Sequence, residues 1–172
     1  MSLLAVTVLG HDRPGIIAET TDVLAGLGLN LEDSTMTLLR GHFAMTLLCA
    51  GDAGADQVRE RLAPLASDGT LSVEVREVPA EEPSAATGSP YVLTVHGGDR
   101  AGIVSSVAAE VARVGGNVTD LTTRLAGDLY LLVAEIDLPA DVDVDALSAA
   151  VRAVASTLGV VATLRPADTD DL

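Results

Sequence analysis

The chain has 172 residues, a formal net charge of −15 at pH 7 and a pI near 4.2, and all of its basic residues are arginines. Nucleic acids and anionic membranes attract cationic surfaces, so direct binding to either is not expected. Hydrophobic residues make up 48% of the sequence but aromatic residues only 2%, so a core of Val, Leu, Ile and Ala is predicted.

Residues 1–78 are predicted to form one domain with six elements in the order β-α-β-β-α-β. The apolar run at 3–9 is typical of a central strand covered by helices. The helix that follows is predicted to place these side chains on one face: Ile16, Ile17, Thr20, Val23, Leu24 and Leu27. The other elements are predicted as strands at 29–39 and 43–50 joined by a hairpin turn, a helix around 58–65, and a strand at 71–76.

Residues 79–90 are rich in Pro, Ala, Ser and Glu without apolar periodicity, so they are predicted to be a linker. A second domain at 91–165 repeats the order of the first, and an acidic tail at 166–172 is expected to be loose. Its elements are predicted as strands at 91–96, 117–126, 129–137 and 160–165, and helices at 103–114 and 144–158.

Six elements in this order predict an α+β fold for each domain, with two helices on one face of a four-stranded antiparallel sheet. The right-handed crossover rule then gives a ferredoxin-like βαββαβ topology. The other face of the sheet, or an edge strand, is left available for a second unit.

One motif occurs twice, because GHDRPGI at 10–16 returns as GGDRAGI at 97–103, 87 residues later. Each copy joins a predicted strand to a predicted helix. Asp12 and Asp99 are suited to cap the helix, and Pro14 fits its first turn.

The glycines of the motif, Gly15 and Gly102, allow close approach of backbone or ligand. The remaining amides and the helix dipole are suited to hold a carboxylate or a phosphate. The alternative is that the motif is only a good strand-to-helix turn, and the residues alone leave both interpretations open.

Asn30 and Asn117 share the 87-residue offset and lie between a predicted helix and the next strand. An asparagine side-chain amide offers both a donor and an acceptor, so it can hydrogen-bond an ammonium and a carboxylate together. It also adopts left-handed turn geometry easily, which gives the same residues a purely structural explanation.

The sequences DRPGIIA at 12–18 and GLNL at 28–31 resemble the ACT domain, and DRAGIV at 99–104 with GGNV at 115–118 resembles a second one. Two ACT units with nothing else resemble the glycine cleavage system transcriptional repressor family. The resemblance implies an amino acid bound where two units meet and a regulatory protein partner, without direct contact to nucleic acid.

Carried over from the resemblance, the strand-to-helix turns would supply part of each site: His11, Asp12, Arg13, Pro14, Gly15, Ile16, Gly98, Asp99, Arg100, Ala101, Gly102 and Ile103. A neighbouring unit would supply the rest: Asn30, Leu31, Asn117 and Val118. The second copy departs from the pattern, with Ala101 in place of the proline and Gly98 in place of the histidine. We therefore expect the two sites to differ in affinity, or only one to bind.

No enzyme, cofactor or metal site is predicted. His11, His42 and His96 do not form a zinc spacing, and no nucleophile with a nearby base is evident. Cys49 cannot form an intrachain disulfide and alternates with apolar strand residues, so a buried thiol is expected.

The predicted function is therefore amino-acid sensing that regulates a partner, as in transcriptional regulation of glycine metabolism. A ligand-free protein-interaction module is the alternative, and a homo-oligomer is compatible with either. No basic leader and no membrane-length apolar run are evident, so a cytoplasmic location is expected.

Overall fold

The computed structural model describes residues 2–79 and 88–167. The chain divides into two compact units, Met1–Glu82 (unit 1) and Pro83–Leu172 (unit 2). Most of the predicted linker, at 80–87, and most of the predicted tail, at 168–172, lie outside the described residues.

Unit 1 forms a four-stranded antiparallel sheet in the order β2-β3-β1-β4. Its elements are β1 (Ser2–His11), α1 (Ile16–Gly26), β2 (Asn30–Leu39), β3 (His42–Gly51), α2 (Ala55–Leu62) with a 3₁₀ turn at Ala63–Ala66, and β4 (Leu71–Val78). The predicted βαββαβ fold is confirmed.

Unit 2 repeats this topology, with strand order β6-β7-β5-β8. Its elements are β5 (Gly88–Gly98), α3 (Ile103–Arg113), β6 (Asn117–Ala126), β7 (Leu129–Pro139), α4 (Val144–Thr157) and β8 (Val160–Pro166). The first strand begins three residues earlier than predicted, because residues 88–90 pair with the end of β7.

The helices cover only one face of each sheet. In β1, Leu4, Val6 and Val8 are fully buried, whereas the neighbouring Thr7 and Leu9 are exposed. The prediction that both helices of a unit lie on one face of its sheet is therefore confirmed.

The buried face of α1 is narrower than predicted. Ile16, Thr20 and Leu24 are buried, but Ile17 is 46% exposed. The Thr20 hydroxyl donates to the Ile16 carbonyl at 2.7 Å, so this buried polar side chain has a partner. In α3, Val104 is exposed in the same way.

Gly28 and Gly115 end α1 and α3 in a left-handed conformation, each within a pair of helix-closing backbone hydrogen bonds. The Cys49 side chain is buried in β3, so the predicted buried thiol is confirmed. Across residues 2–79 and 88–167, none of the helices has both the length and the apolar character needed to span a membrane.

Candidate functional site

The turn between β1 and α1 is fixed by backbone hydrogen bonds to two other loops. The His11 amide donates to the Thr70 carbonyl at 2.9 Å, before β4, and the Asp12 amide donates to the Gly41 carbonyl at 3.2 Å, in the β2–β3 hairpin. Gly15 then adopts a φ of +94° as the residue that caps α1. The turn is therefore held in place from both sides.

The predicted aspartate caps are wrong. Gly15 and Gly102 occupy the N-cap positions of α1 and α3. Glycine has no side chain to accept a hydrogen bond, and no other side chain accepts from the first-turn amides of either helix. Pro14 lies in the turn before the helix, not in its first turn. The N-cap position is taken by the left-handed glycine three residues beyond each aspartate, and the helix begins at the next residue, so the aspartate lies outside its capping position.

The contrast with α4 shows what a capped helix looks like in this chain. There the Asp143 carboxylate accepts from the Ala146 amide at 2.9 Å. Helix α2 also begins at a glycine without a side-chain cap, but Gly54 has an ordinary extended conformation. The left-handed glycine together with an uncapped first turn is shared by the two repeated motifs.

An open pocket of about 450 Å³ lies against the first turn. Its volume falls within the range of small-molecule sites. It is lined by Asp12, Arg13, Pro14, Gly15, Ile16, Ile17, Ala18, Met36 and Phe43. Five of the predicted first-turn residues are therefore brought together, whereas His11 is an exposed strand end outside the lining.

The wall of this pocket contains residues that sequence reasoning did not assign to the site, Ile17, Ala18, Met36 and Phe43. Met36 and Phe43 belong to neighbouring strands and point to the helix-covered face, as their pairing with Met45 and Leu38 requires. The alternation of side chains along β2 indicates that Met36 lies on this face. That Met36 borders the turn also depends on β2 being the edge strand of the sheet, which the alternation does not indicate.

Arg13 and Glu19 form a bidentate ion pair across the turn. The guanidinium donates to the two carboxylate oxygens at 2.8 and 2.7 Å, and also to the Pro14 carbonyl at 3.3 Å. This hydrogen bonding holds the pKa of Glu19 below its ordinary value and the pKa of Arg13 above its own. Glu19 was not singled out from the sequence, because six residues is not a helical spacing.

The second turn has a similar backbone with different side chains. Gly102 has a φ of +92°, and the Arg100 guanidinium donates to the Asp99 carbonyl at 2.8 Å. The Ser105 hydroxyl donates to the Gly102 carbonyl at 3.1 Å. Ala101 is exposed, whereas Ile103 is buried like its counterpart Ile16.

Asn30 and Asn117 lie far from the turn of their own unit. Asn30 begins β2 and pairs with Ala50, whereas the turn follows His11, which lies beside His42 at the other end of the sheet. At about 3.3 Å per residue, the two ends are roughly 25–30 Å apart. Leu31, and Asn117 with Val118 in unit 2, occupy the corresponding end positions.

Two ferredoxin-like units, each with an uncapped, left-handed glycine turn between its first strand and first helix, define the class of this protein. The family model of the ACT domain matches residues 2–76 and 89–164. The chain belongs to the ACT domain family. It is an ACT-domain regulatory protein related to the glycine cleavage system transcriptional repressor, and the predicted resemblance is confirmed.

The similarities to known proteins extend over about one third of this chain or over nearly all of it. A UPF0237 protein of Methanopyrus kandleri is 43% identical over 65 residues, which cover 36% of this chain and 72% of that protein. The glycine cleavage system transcriptional repressor of Escherichia coli is 37% identical over 62 residues, 36% of this chain and 33% of the repressor. The solved structure of an unknown protein from Galdieria sulphuraria matches with a TM-score of 0.76 and 27% identity, covering 97% of this chain and 99% of that one.

Proposed function

We propose that this protein is a cytoplasmic amino-acid sensor that binds a small amino acid at its strand-to-helix turns and regulates a partner protein. The observation that carries the proposal is the pocket beside the first turn, which combines uncapped helix amides with the Asp12 carboxylate. Such amides suit the carboxylate of an amino acid, and an aspartate suits its ammonium.

The relation to the glycine cleavage system repressor supports glycine and serine as the first ligands to examine, and transcriptional regulation of glycine metabolism as the process served. With a net charge of −15, the protein is suited to act through a protein partner and not by contacting nucleic acid directly. No cofactor enters this proposal.

Regulation follows if the ligand and the partner favour the same state of the protein. A ligand shifts an equilibrium between two states only by its difference in affinity for them, and the coupling to a partner is reciprocal. A partner that binds more tightly in the presence of glycine must therefore increase the affinity for glycine by the same factor.

Calorimetric titration with glycine and serine tests the proposal. We expect saturable binding that weakens by about tenfold or more in Asp12→Asn, because a hydrogen-bonded charge is lost. Asp22→Asn is the matched control, since Asp22 is an exposed carboxylate of α1 that does not line the pocket. Asn30→Ala and Asn117→Ala test the predicted contribution of the asparagines. Binding that is absent, or equally weakened in the control, would contradict the proposal.

A ligand-free protein-interaction module is the second candidate. It is favoured by the edge strand β2, where Leu31, Met36 and Leu38 are 43%, 46% and 48% exposed. Exposed apolar side chains on an unpaired edge strand are typical of surfaces that bind another chain. This candidate predicts that Leu38→Glu abolishes partner capture while no amino acid binds to the unmodified protein.

A further inference from the structure

The two histidines of unit 1 are 31 positions apart in the sequence but lie directly opposite each other in the sheet. His11 ends β1, His42 begins β3, and the antiparallel register of the two strands pairs them. The neighbouring pair is Gly10 with Phe43, and Phe43 is buried on the helix-covered face. Since successive side chains of a strand point to opposite faces, both histidines point to the open face of the sheet, where both are exposed.

The backbone hydrogen bonds show which kind of antiparallel pair the two histidines form. The His11 amide donates to the Thr70 carbonyl at 2.9 Å, on the β4 side, and therefore points away from β3. His42 closes the β2–β3 hairpin opposite Leu39, on the far side of β3 from β1. His11 and His42 are therefore a non-hydrogen-bonded pair, in which the two Cα atoms are about 4.5 Å apart and the side chains are closest.

Two imidazoles in this position can reach one metal ion. Nitrogen ligands lie about 2.0–2.1 Å from a tetrahedral Zn²⁺, so two of them are roughly 3.3 Å apart. Rings carried by Cβ atoms about 4.5–5.5 Å apart reach that separation by side-chain rotation. Neither ring is in a hydrogen bond or an ion pair with another of the described residues, so the rotation breaks no such contact. The net charge of −15 also attracts cations to the protein.

We propose that His11 and His42 form a two-ligand site for a divalent transition metal with affinity for imidazole, such as Zn²⁺. The described residues contain no group of three or more His, Cys, Asp or Glu side chains arranged to hold a metal, so water completes the coordination. Such a site is weaker than zinc sites with three or four protein ligands, and its metal exchanges. A bound ion would tie the end of β1 to the hairpin, beside the bond from the Asp12 amide to the Gly41 carbonyl. The site goes beyond amino-acid binding, since neither histidine lines the pocket of the first turn.

Unit 2 provides two internal references for this site. The equivalent paired positions there are Gly98 and Leu129, so the histidine pair has no counterpart in unit 2. His96, the third histidine of the chain, is exposed, and the neighbouring strands place Leu131 and Val161 beside it. A single imidazole lacks the second ligand that a chelating pair supplies at high effective concentration. His96 should therefore bind the same metal more weakly.

Titration with zinc chloride at constant pH and ionic strength, followed by the imidazole ring signals in NMR, tests the site inside one molecule. The His11 and His42 signals should shift with the same midpoint, at a zinc concentration at least about tenfold lower than the His96 signal. In His11→Gln or His42→Gln, the remaining histidine of the pair should respond like His96. His96→Gln is the matched control and should leave the midpoint of the pair unchanged.

Gly98→His together with Leu129→His should create a second site in unit 2. Gly98 has no positive φ, an added Cβ would lie 3.7 Å from the nearest heavy atom, on Arg100, and Leu129 is 55% exposed. The double variant should bind about two zinc ions before His96 responds, and the unmodified protein about one. Equal midpoints for all three histidines would overturn the inference. The same holds if either single variant leaves the midpoint of the remaining partner unchanged, or if the folded double variant gains no second site.

Discussion

Gly15 and Gly102 lie 87 residues apart in the chain and have φ angles of +94° and +92°. The residue before them differs, because Pro14 in unit 1 corresponds to Ala101 in unit 2. The turn therefore does not require the proline. It requires a residue that adopts the left-handed conformation at low cost, and in L-amino acids that residue is glycine.

Gly15→Ala should lower the free energy of unfolding by about 1–2 kcal/mol and weaken amino-acid binding, because alanine is strained at this φ. The added methyl group would also lie 3.1 Å from Glu19 Oε1, against the ion pair with Arg13. Urea denaturation and calorimetric titration of the same variant measure the two effects.

Gly26→Ala provides the control for this prediction. Gly26 lies in the last turn of α1 with no atom within 4 Å of an added Cβ and without a positive φ. Alanine there should stabilise the protein by about 0.5–1 kcal/mol, since it lowers the entropy of the unfolded chain. A Gly15→Ala variant as stable as Gly26→Ala would show that the turn is not strained in the way described.

Thr20→Val should change the free energy of unfolding by less than about 0.5 kcal/mol, whereas Thr20→Ala should cost about 1–2 kcal/mol. Thr20 is fully buried, and its hydroxyl donates to the carbonyl of Ile16, an acceptor within its own helix. Valine removes the donor together with its need for a partner and keeps the volume, while alanine leaves a cavity.

Thermal unfolding of both variants checks this prediction. Unit 2 supports it, because the equivalent position is Val107, which is 2% exposed. A large decrease in the free energy of unfolding of Thr20→Val would mean that the hydroxyl stabilises α1 beyond its local hydrogen bond.

The fold was predictable from the sequence because its signals are local and occur twice. Period-2 runs, helical stripes and the glycines after α1 and α3 each depend on neighbouring residues only, and all agree on βαββαβ. The exposure of Ile17 and Leu9 was not predictable in this way. Whether an apolar side chain is covered depends on where the helices lie over the sheet, which a pattern within one element does not contain.

The candidate site was predictable in its position but not in its contacts. The doubled Asp-Arg-x-Gly motif located the turn, and five of its first-copy residues line the pocket. The capping role given to Asp12 failed because the left-handed Gly15 shifts the helix start. The Arg13–Glu19 pair closes across that same backbone reversal, so no helical spacing rule indicates it.

The carboxyl group of Asp68 should titrate below its ordinary pKa. It accepts from the Thr70 amide at 2.9 Å and from the Thr70 hydroxyl at 2.7 Å, and these bonds lower the pKa because they favour the charged form. Its contribution to stability is present above the ordinary aspartate pKa of about 3.9 and is lost as the pH falls through the lower value in the folded state.

Carboxyl-detected NMR titration checks this direction, and Thr70→Val is the matched variant. It removes the hydroxyl bond but keeps the backbone bond, so the Asp68 pKa should move part of the way toward the ordinary value. An unshifted Asp68 in the unmodified protein would contradict the geometry of this loop, which also supplies the Thr70 carbonyl that holds His11.

The Cys49 thiol should react with an aromatic disulfide reagent only when the protein opens. Burial, with a smaller effect from the Glu32 carboxylate, raises the pKa of the thiol, and the reactive species is the thiolate. Because folding raises the pKa of the Cys49 thiol, the thiol contributes to the free energy of unfolding below the ordinary cysteine pKa of about 8.5. That contribution is lost as the pH rises through the pKa of the folded protein. The control is Thr46→Cys in a Cys49→Ala background, which places a thiol on the exposed face of the same strand. The two proteins should differ in labelling rate by orders of magnitude in buffer and converge in urea, and equal rates in buffer would mean that β3 opens locally around Cys49.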